Sequence, residues 1–176
     1  MNESRIEPHM PQAERILLRS SPSEDTSPEM GLLLGHALAM DHHKVVVGRD
    51  LMRSSSMMKE ALVAGLTSSG ADVIDVGIVS GPALALAASK GDCAVYVTEY
   101  RGYGRISGYL LINNNGSLFR REQIRHLDKF FVDPPELPES GSLGHVFRYL
   151  DAVSVYNSKV RSLHKDKAEC TIVLDC

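Results

Sequence analysis

Apolar residues return along this chain with two different periods. Met30, Leu33, Leu34 and Ala37 recur at three- and four-residue steps behind Ser27-Pro28-Glu29. A serine N-cap, a proline in the first turn and an acid beside it predict a helix ending near Met40-Asp41. Lys44–Gly48, KVVVG, is an unbroken β-branched run too short for a helix, so it predicts a strand buried on both faces, closed by Arg49-Asp50. Helical spacing resumes at Met58, Ala61, Leu62, Gly65 and Leu66, with Ser54-Ser55-Ser56 as N-caps and Gly70 as the stop. Asp72–Val79 predicts a second strand, Pro82 opens a third helix to about Lys90, and Cys93–Thr98 predicts a third strand. Ile16-Leu17-Leu18 predicts a short edge strand ahead of them all.

Strands alternating with helices predict an α/β fold with right-handed crossovers. The pattern then changes. Tyr109–Ile112 is strand-like, Asn113-Asn114-Asn115-Gly116 is a turn, and Ser117–Phe119 resumes extended structure, which predicts a β-hairpin there. Ile124, Leu127 and Phe131 mark one face of a charged helix over 121–131. The expected fold is therefore a mixed, mostly parallel sheet between helices. Residues 1–15 read as a tail, 16–132 as the α/β domain and 133–142, with three prolines, as a linker. Residues 143–176 read as a helix over 149–164 followed by the strand Cys170–Cys176.

Composition narrows the partners. The 176 residues are 43% hydrophobic and carry a net charge of −3, so no basic field invites nucleic acid or an anionic membrane. Aromatics are 6% and tryptophan is absent, which argues against a base-stacking platform. Cys93, Cys170 and Cys176 form no CxxC pair and are odd in number, as in a reducing compartment. No leader pattern and no apolar run of membrane-spanning length is present, and a cytoplasmic setting is expected.

Candidate chemistry gathers in Val97–Gly108, VTEYRGYGRISG. Its glycines miss the G-x-G-x-x-G spacing, since Ser107 stands where the third belongs, and they lead into a strand instead of a helix. Two readings stay open: an anion site made by Arg101, Arg105 and exposed backbone N–H groups, or a tight connection with solvated arginines. Elsewhere, Arg49-Asp50 reads as an internal ion pair, and His42-His43, lacking ligands at zinc spacing, as a surface pair. His36 reads as a packed helix residue, and neither Asp72 nor Asp75 needs a paired-carboxylate role.

KVVVGRD, then SSSMMKEALVAGLTSSGADVIDVGIVSGPALALAA, resembles the first domain of the α-D-phosphohexomutases, the phosphoglucomutase/phosphomannomutase family, over roughly residues 27–131. TIVLDC is similar to the strand that opens the family's second domain. The resemblance implies a four-domain enzyme that moves a phosphoryl group between the 1- and 6-positions of a hexose through a phosphoserine and Mg²⁺. In that family the serine lies in a T-A-S-H-N-P loop, followed by Y-N-G-x-K and a turn glycine. Thr98, Gly108 and Gly116 match without a gap, and that register places Tyr100 at the phosphoserine, Arg101 at the histidine, Gly102 at the asparagine and Tyr103 at the proline. Ser107 then precedes Gly108, and Leu110 stands at the lysine. Where a G-T-D-G-I-R-G motif belongs, the chain reads Leu17-Leu18-Arg19-Ser20-Ser21-Pro22, with Arg19 as the one remnant.

The resulting expectation is a truncated or degenerate phosphohexomutase N-terminal domain that is not catalytic alone. It keeps no family catalytic side chain at Tyr100, and Arg101, Arg105 and Ser107 are candidate contacts for an anion or hexose phosphate. No cofactor is expected in this chain; Mg²⁺ is implied only by the resemblance, with ligands outside the chain. The expected partner is a second chain carrying the remaining mutase domains, or another copy. The rival is an active sugar-phosphate mutase that uses a non-serine acceptor such as Tyr100 or Ser107, or one complemented by another chain.

Overall fold

The computed structural model describes residues 16–19, 28–102, 104–132, 142–163 and 173. The expected tail, linker and terminal strand lie outside these, but for Ser142 and Val173. In chain order the elements are β1 (Ile16–Arg19), α1 (Pro28–Ala39), β2 (Lys44–Arg49), α2 (Arg53–Ser68), β3 (Asp72–Ile78) and α3 (Gly81–Ala87). A 3-10 turn (Ala88–Lys90) continues α3, and then come β4 (Cys93–Gly102), β5 (Gly104–Asn113), α4 (Arg121–Val132), β6 (Val146–Arg148) and α5 (Ala152–Leu163).

The strands form one sheet in the order β1-β5-β4-β2-β3-β6. β4, β2, β3 and β6 are mutually parallel, while β5 runs antiparallel to both β4 and β1. The mixed, mostly parallel sheet expected from the sequence is the one observed. Val45, Val46 and Val47 of β2 are fully buried because helices cover both faces. Val45 and Val47 join Val73, Val95 and Val97 beneath α1, α2 and α4, while Val46 joins Ala94 and Ile112 beneath α3 and Ala152 of α5. The strand period of two therefore separates two cores.

α1 and α2 cross at backbone distance. A Cβ on Gly35 would meet the Leu62 carbonyl oxygen at 2.5 Å, and one on Gly65 would overlap the Leu32 carbonyl. Tyr109 of β5 locks α2 onto the sheet by donating to the Met58 carbonyl at 3.2 Å. A β-bulge then interrupts the pairing of β2 with β3 beyond Val47, and Gly77 takes its left-handed φ of 71°. Asp75 Oδ1 accepts the Gly77 N–H at 2.9 Å, and its other oxygen accepts from the buried Lys59 ammonium of α2 at 2.7 Å. The bulge thus turns a carboxylate inward onto a buried cation.

Three expectations are corrected. Ser54–Ser56 do not cap α2: the N-cap is Met52, without a side-chain cap bond, and the serines lie inside the first turn. The turn expected at Asn113–Gly116 is present, with the Asn113 N–H donating to the Ser117 carbonyl at 2.7 Å and the Phe119 N–H to the Leu111 carbonyl at 2.9 Å around an Ile112–Leu118 bridge, but it is not the main hairpin. That hairpin is β4–β5, whose ladder continues to Gly102↔Gly104 through the segment expected to be a loop. Residues 142–163 also hold a strand that sequence pattern did not reveal, β6, paired in parallel with β3. Three half-exposed residues carry no period, so only the sheet edge defines it.

Gly65→Ala is expected to lower stability by roughly 2 kcal/mol through forced separation of α1 and α2. A urea transition shifted to lower midpoint with unchanged slope is the predicted result. An unchanged midpoint would show that the helix crossing has room to spare.

Candidate functional site

In open α/β sheets, sites form beyond the carboxyl ends of the strands. Here β2 ends at Arg49, opposite Val97 of β4, and β4 runs on. Asp50 stands at that divergence. Its N–H donates to the Val97 carbonyl at 3.1 Å. Its Oδ2 accepts from the Thr98 hydroxyl at 2.9 Å and the Glu99 N–H at 2.7 Å, and its Oδ1 from the Met52 N–H at 2.9 Å. One carboxylate therefore sets both the start of α2 and the continuation of β4. The expected Arg49–Asp50 ion pair is not formed: Arg49 Nη1 donates to the Asp50 carbonyl oxygen at 2.7 Å, leaving the carboxylate to its other donors.

Around this carboxylate, Ser54 Oγ donates to Glu99 Oε2. Ser55 is fully buried beside Asp50, near enough to help stabilise its charge, although its Oγ completes no hydrogen bond. Burial pushes the Asp50 carboxyl up, but the Ser55 hydroxyl, the Glu99 and Met52 N–H groups and the Thr98 hydroxyl together outweigh it. The net result lies below the usual carboxylate value. Asp50 also borders a cavity of about 440 Å³ with Val79, Tyr96 and, from α5, Tyr156 and Asn157. Tyr96 donates to the Val79 carbonyl at 3.1 Å, and burial, with the nearby Asp50 charge, raises its hydroxyl pKa.

The segment singled out by sequence forms an arm beyond the end of β2. Register places Tyr100 opposite Ile106, Arg101 opposite Arg105, and Ser107 opposite Glu99. The exposed N–H groups expected of a loop are replaced by an antiparallel ladder, which β1 joins along Ile106–Tyr109. Of the remaining candidates, His36 packs against Ser68 Oγ at 3.1 Å, and burial lowers its pKa. His42 Nδ1 lies 3.0 Å from the Leu38 carbonyl, and Asp92 Oδ2 accepts the His43 N–H at 2.8 Å. Among the described residues no three His, Cys, Asp or Glu side chains converge to hold a metal ion, so no step is routed through Mg²⁺ here. No described helix is long and apolar enough to cross a membrane.

Sequence reasoning missed Thr98, Glu99 and Ser54 as members of one network with Asp50. The available signal was an aspartate at a strand end two residues before an N–H it could accept, as in an Asx turn. Asp50→Asn is expected to cost about 2 kcal/mol at neutral pH by removing charge-assisted bonds. Because the folded carboxyl is depressed, its contribution is present above the unfolded pKa and is lost as pH falls through the folded value. The difference between wild type and variant should therefore close in acid, as followed by urea midpoints against pH. A pH-independent gap would mean that shape, not charge, holds the network.

Comparison with known proteins places this geometry. Residues 19–133 match the family model described as phosphoglucomutase/phosphomannomutase, alpha/beta/alpha domain I. A "Probable phosphoglucosamine mutase" of Methanocella arvoryzae is 31% identical over 156 residues, 85% of this chain and 34% of the relative. Another of that description, from Methanosarcina acetivorans, is 32% identical over 160 residues, 90% of this chain and 37% of the relative. In structure, a phosphoglucomutase/phosphomannomutase family protein from Burkholderia thailandensis superimposes with a TM-score of 0.68 at 24% identity, over 86% of this chain and 35% of that one, which speaks to the fold. The chain thus spans about a third of the length of the curated relatives it matches.

Proposed function

The chain belongs to the phosphoglucomutase/phosphomannomutase family, matching its domain I, and from that premise we propose that alone it transfers no phosphoryl group and works as a binding or partner module in hexose phosphate metabolism. The observation that carries this reading is the register of the β4–β5 arm. Position 100, which aligns with the family's phosphoserine, is a tyrosine inside a continuous antiparallel ladder. A serine nucleophile is a short arm whose oxygen its own backbone presents to a metal-neutralised phosphoryl group. A tyrosine oxygen lies several bonds further out on a rigid ring, and a strand does not give the bent presentation of a loop.

The partner we assign is a polypeptide carrying the rest of a mutase, whether this chain's own continuation or a separate molecule. β6 and α5 offer it a seat: Phe147 is 51% exposed, Leu150 78% and Val153 43%, and β6 is the outermost strand. Such an apolar edge in a folded domain marks an interaction surface. The ligand class we assign is a hexosamine phosphate, because both relatives are described as phosphoglucosamine mutases. The cell compartment we assign is the cytoplasm, which suits the buried free thiol of Cys93.

Intact-mass spectrometry after incubation with glucose 1,6-bisphosphate and Mg²⁺ tests the catalytic half of the proposal. The expected mass is unchanged, and a phosphoryl adduct mapped to Tyr100 or Ser107 would overturn it in favour of a mutase with a new acceptor. Gel filtration with the remaining domains of the Methanocella arvoryzae relative, produced separately, tests the other half. A one-to-one complex lost in Phe147→Glu supports it; two monomers, or a homodimer of this chain, would contradict it.

A further inference from the structure

The cavity of about 440 Å³ that Asp50 borders lies beyond the carboxyl ends of β2 and β3, where residues of α3 and α5 close over it. Leu51 and Ile78 give it an apolar rim, and Tyr96 and Tyr156 bring two aromatic rings to it. Among the described residues of its lining Asp50 alone is charged. The volume falls within the roughly 300–1,000 Å³ of small-molecule sites.

The Asp50 carboxylate stands on the cavity side of the sheet. Tyr96 and Thr98 are two residues apart on β4 and therefore share a face. Asp50 Oδ2 accepts from the Thr98 hydroxyl at 2.9 Å, which sets the carboxylate on the Tyr96 side. The rise in the Tyr96 pKa, from burial first and the Asp50 charge second, agrees with that placement. Oδ2 takes two donors, whereas Oδ1 takes only the Met52 N–H and keeps capacity to accept. The neighbouring guanidinium does not cancel the charge inside the cavity: Arg49 Nη1 donates to the Asp50 backbone carbonyl, and Arg49 is not part of the lining.

We infer that this cavity binds a small primary amine with a flat apolar body, its ammonium toward Asp50 and its body against Tyr96 and Tyr156. A fixed carboxylate with no cation beside it in the lining repels phosphates and carboxylates and attracts an ammonium. The faces of the two tyrosine rings favour a cation and an apolar body together. A hexose phosphate fits neither the charge nor the apolar rim, so this site is separate from the ligand class proposed above. Val153 borders both the cavity and the seat proposed for the partner polypeptide, but Phe147 and Leu150 do not line the cavity.

Titration of the whole chain with benzylamine, benzyl alcohol and benzoate, followed by amide chemical shifts, tests the assignment. Benzylamine should saturate with Kd below about 5 mM and move the amides of Tyr96 and Tyr156. Benzyl alcohol should bind at least about fivefold more weakly, and benzoate more weakly still. Leu51 is 74% exposed, so Leu51→Lys should leave the thermal midpoint in place while its own ammonium weakens benzylamine by about fivefold or more. Phe147→Glu should leave the affinity unchanged, which separates this site from the partner seat. Absence of saturable benzylamine binding, equal affinity for benzyl alcohol or benzoate, affinity unmoved by Leu51→Lys, or affinity lost in Phe147→Glu would each overturn the assignment.

Discussion

The Asp50 carboxylate accepts from Met52, Thr98 and Glu99, groups on two segments that part company where β2 ends. Without it the start of α2 and the outgoing half of β4 would have no common anchor. Past Val97, β4 has no β2 neighbour, and its Glu99 N–H would otherwise lack a partner on that side. A partly buried carboxylate that keeps its charge through several donors is a strong local tie. It fixes the direction in which the β4–β5 arm leaves the sheet, and thereby where Tyr100, Arg101 and Arg105 stand.

The rest of the domain makes that tie possible. β2 is placed by burial on both faces, and the helices above it by the Gly35–Gly65 crossing. The bulge in β3 turns Asp75 onto Lys59, so a second carboxylate pins α2 from the opposite strand. Between these two acids α2 has little freedom to shift along the sheet. The family's α/β/α scaffold is thus kept by interactions that say nothing about phosphoryl transfer.

The sequence was most readable where burial governs conformation. KVVVG announced a central strand, and Ile124, Leu127 and Phe131 a helix face, because water and apolar cores sort such residues by period. It was least readable where a partner distant in the chain decides. The serines at 54–56 look like caps by local chemistry, yet Asp50 fixes the helix start ahead of them. YRGYGR looks like a loop by its glycines, yet pairing with Gly104–Gly108 makes it a ladder. β6 is visible only through β3. In the site, the pairing of Arg101 with Arg105 and of Ser107 with Glu99 needed the register. The Ser54–Glu99 bond needed a separation of 45 residues to be closed by the fold.

The central claim is that the segment aligned with the family's nucleophile loop is a strand held by Asp50, and amide hydrogen exchange resolved by residue tests it most directly. The account predicts a protected Glu99 amide, with the inward-paired amides of residues 98–108 exchanging well below intrinsic rates. It also predicts that this protection falls in Asp50→Asn while that of Val45–Val47 persists. Exchange at intrinsic rates throughout 98–108 in the unaltered chain would mean an open loop, and would return Tyr100 and Ser107 to consideration as acceptors.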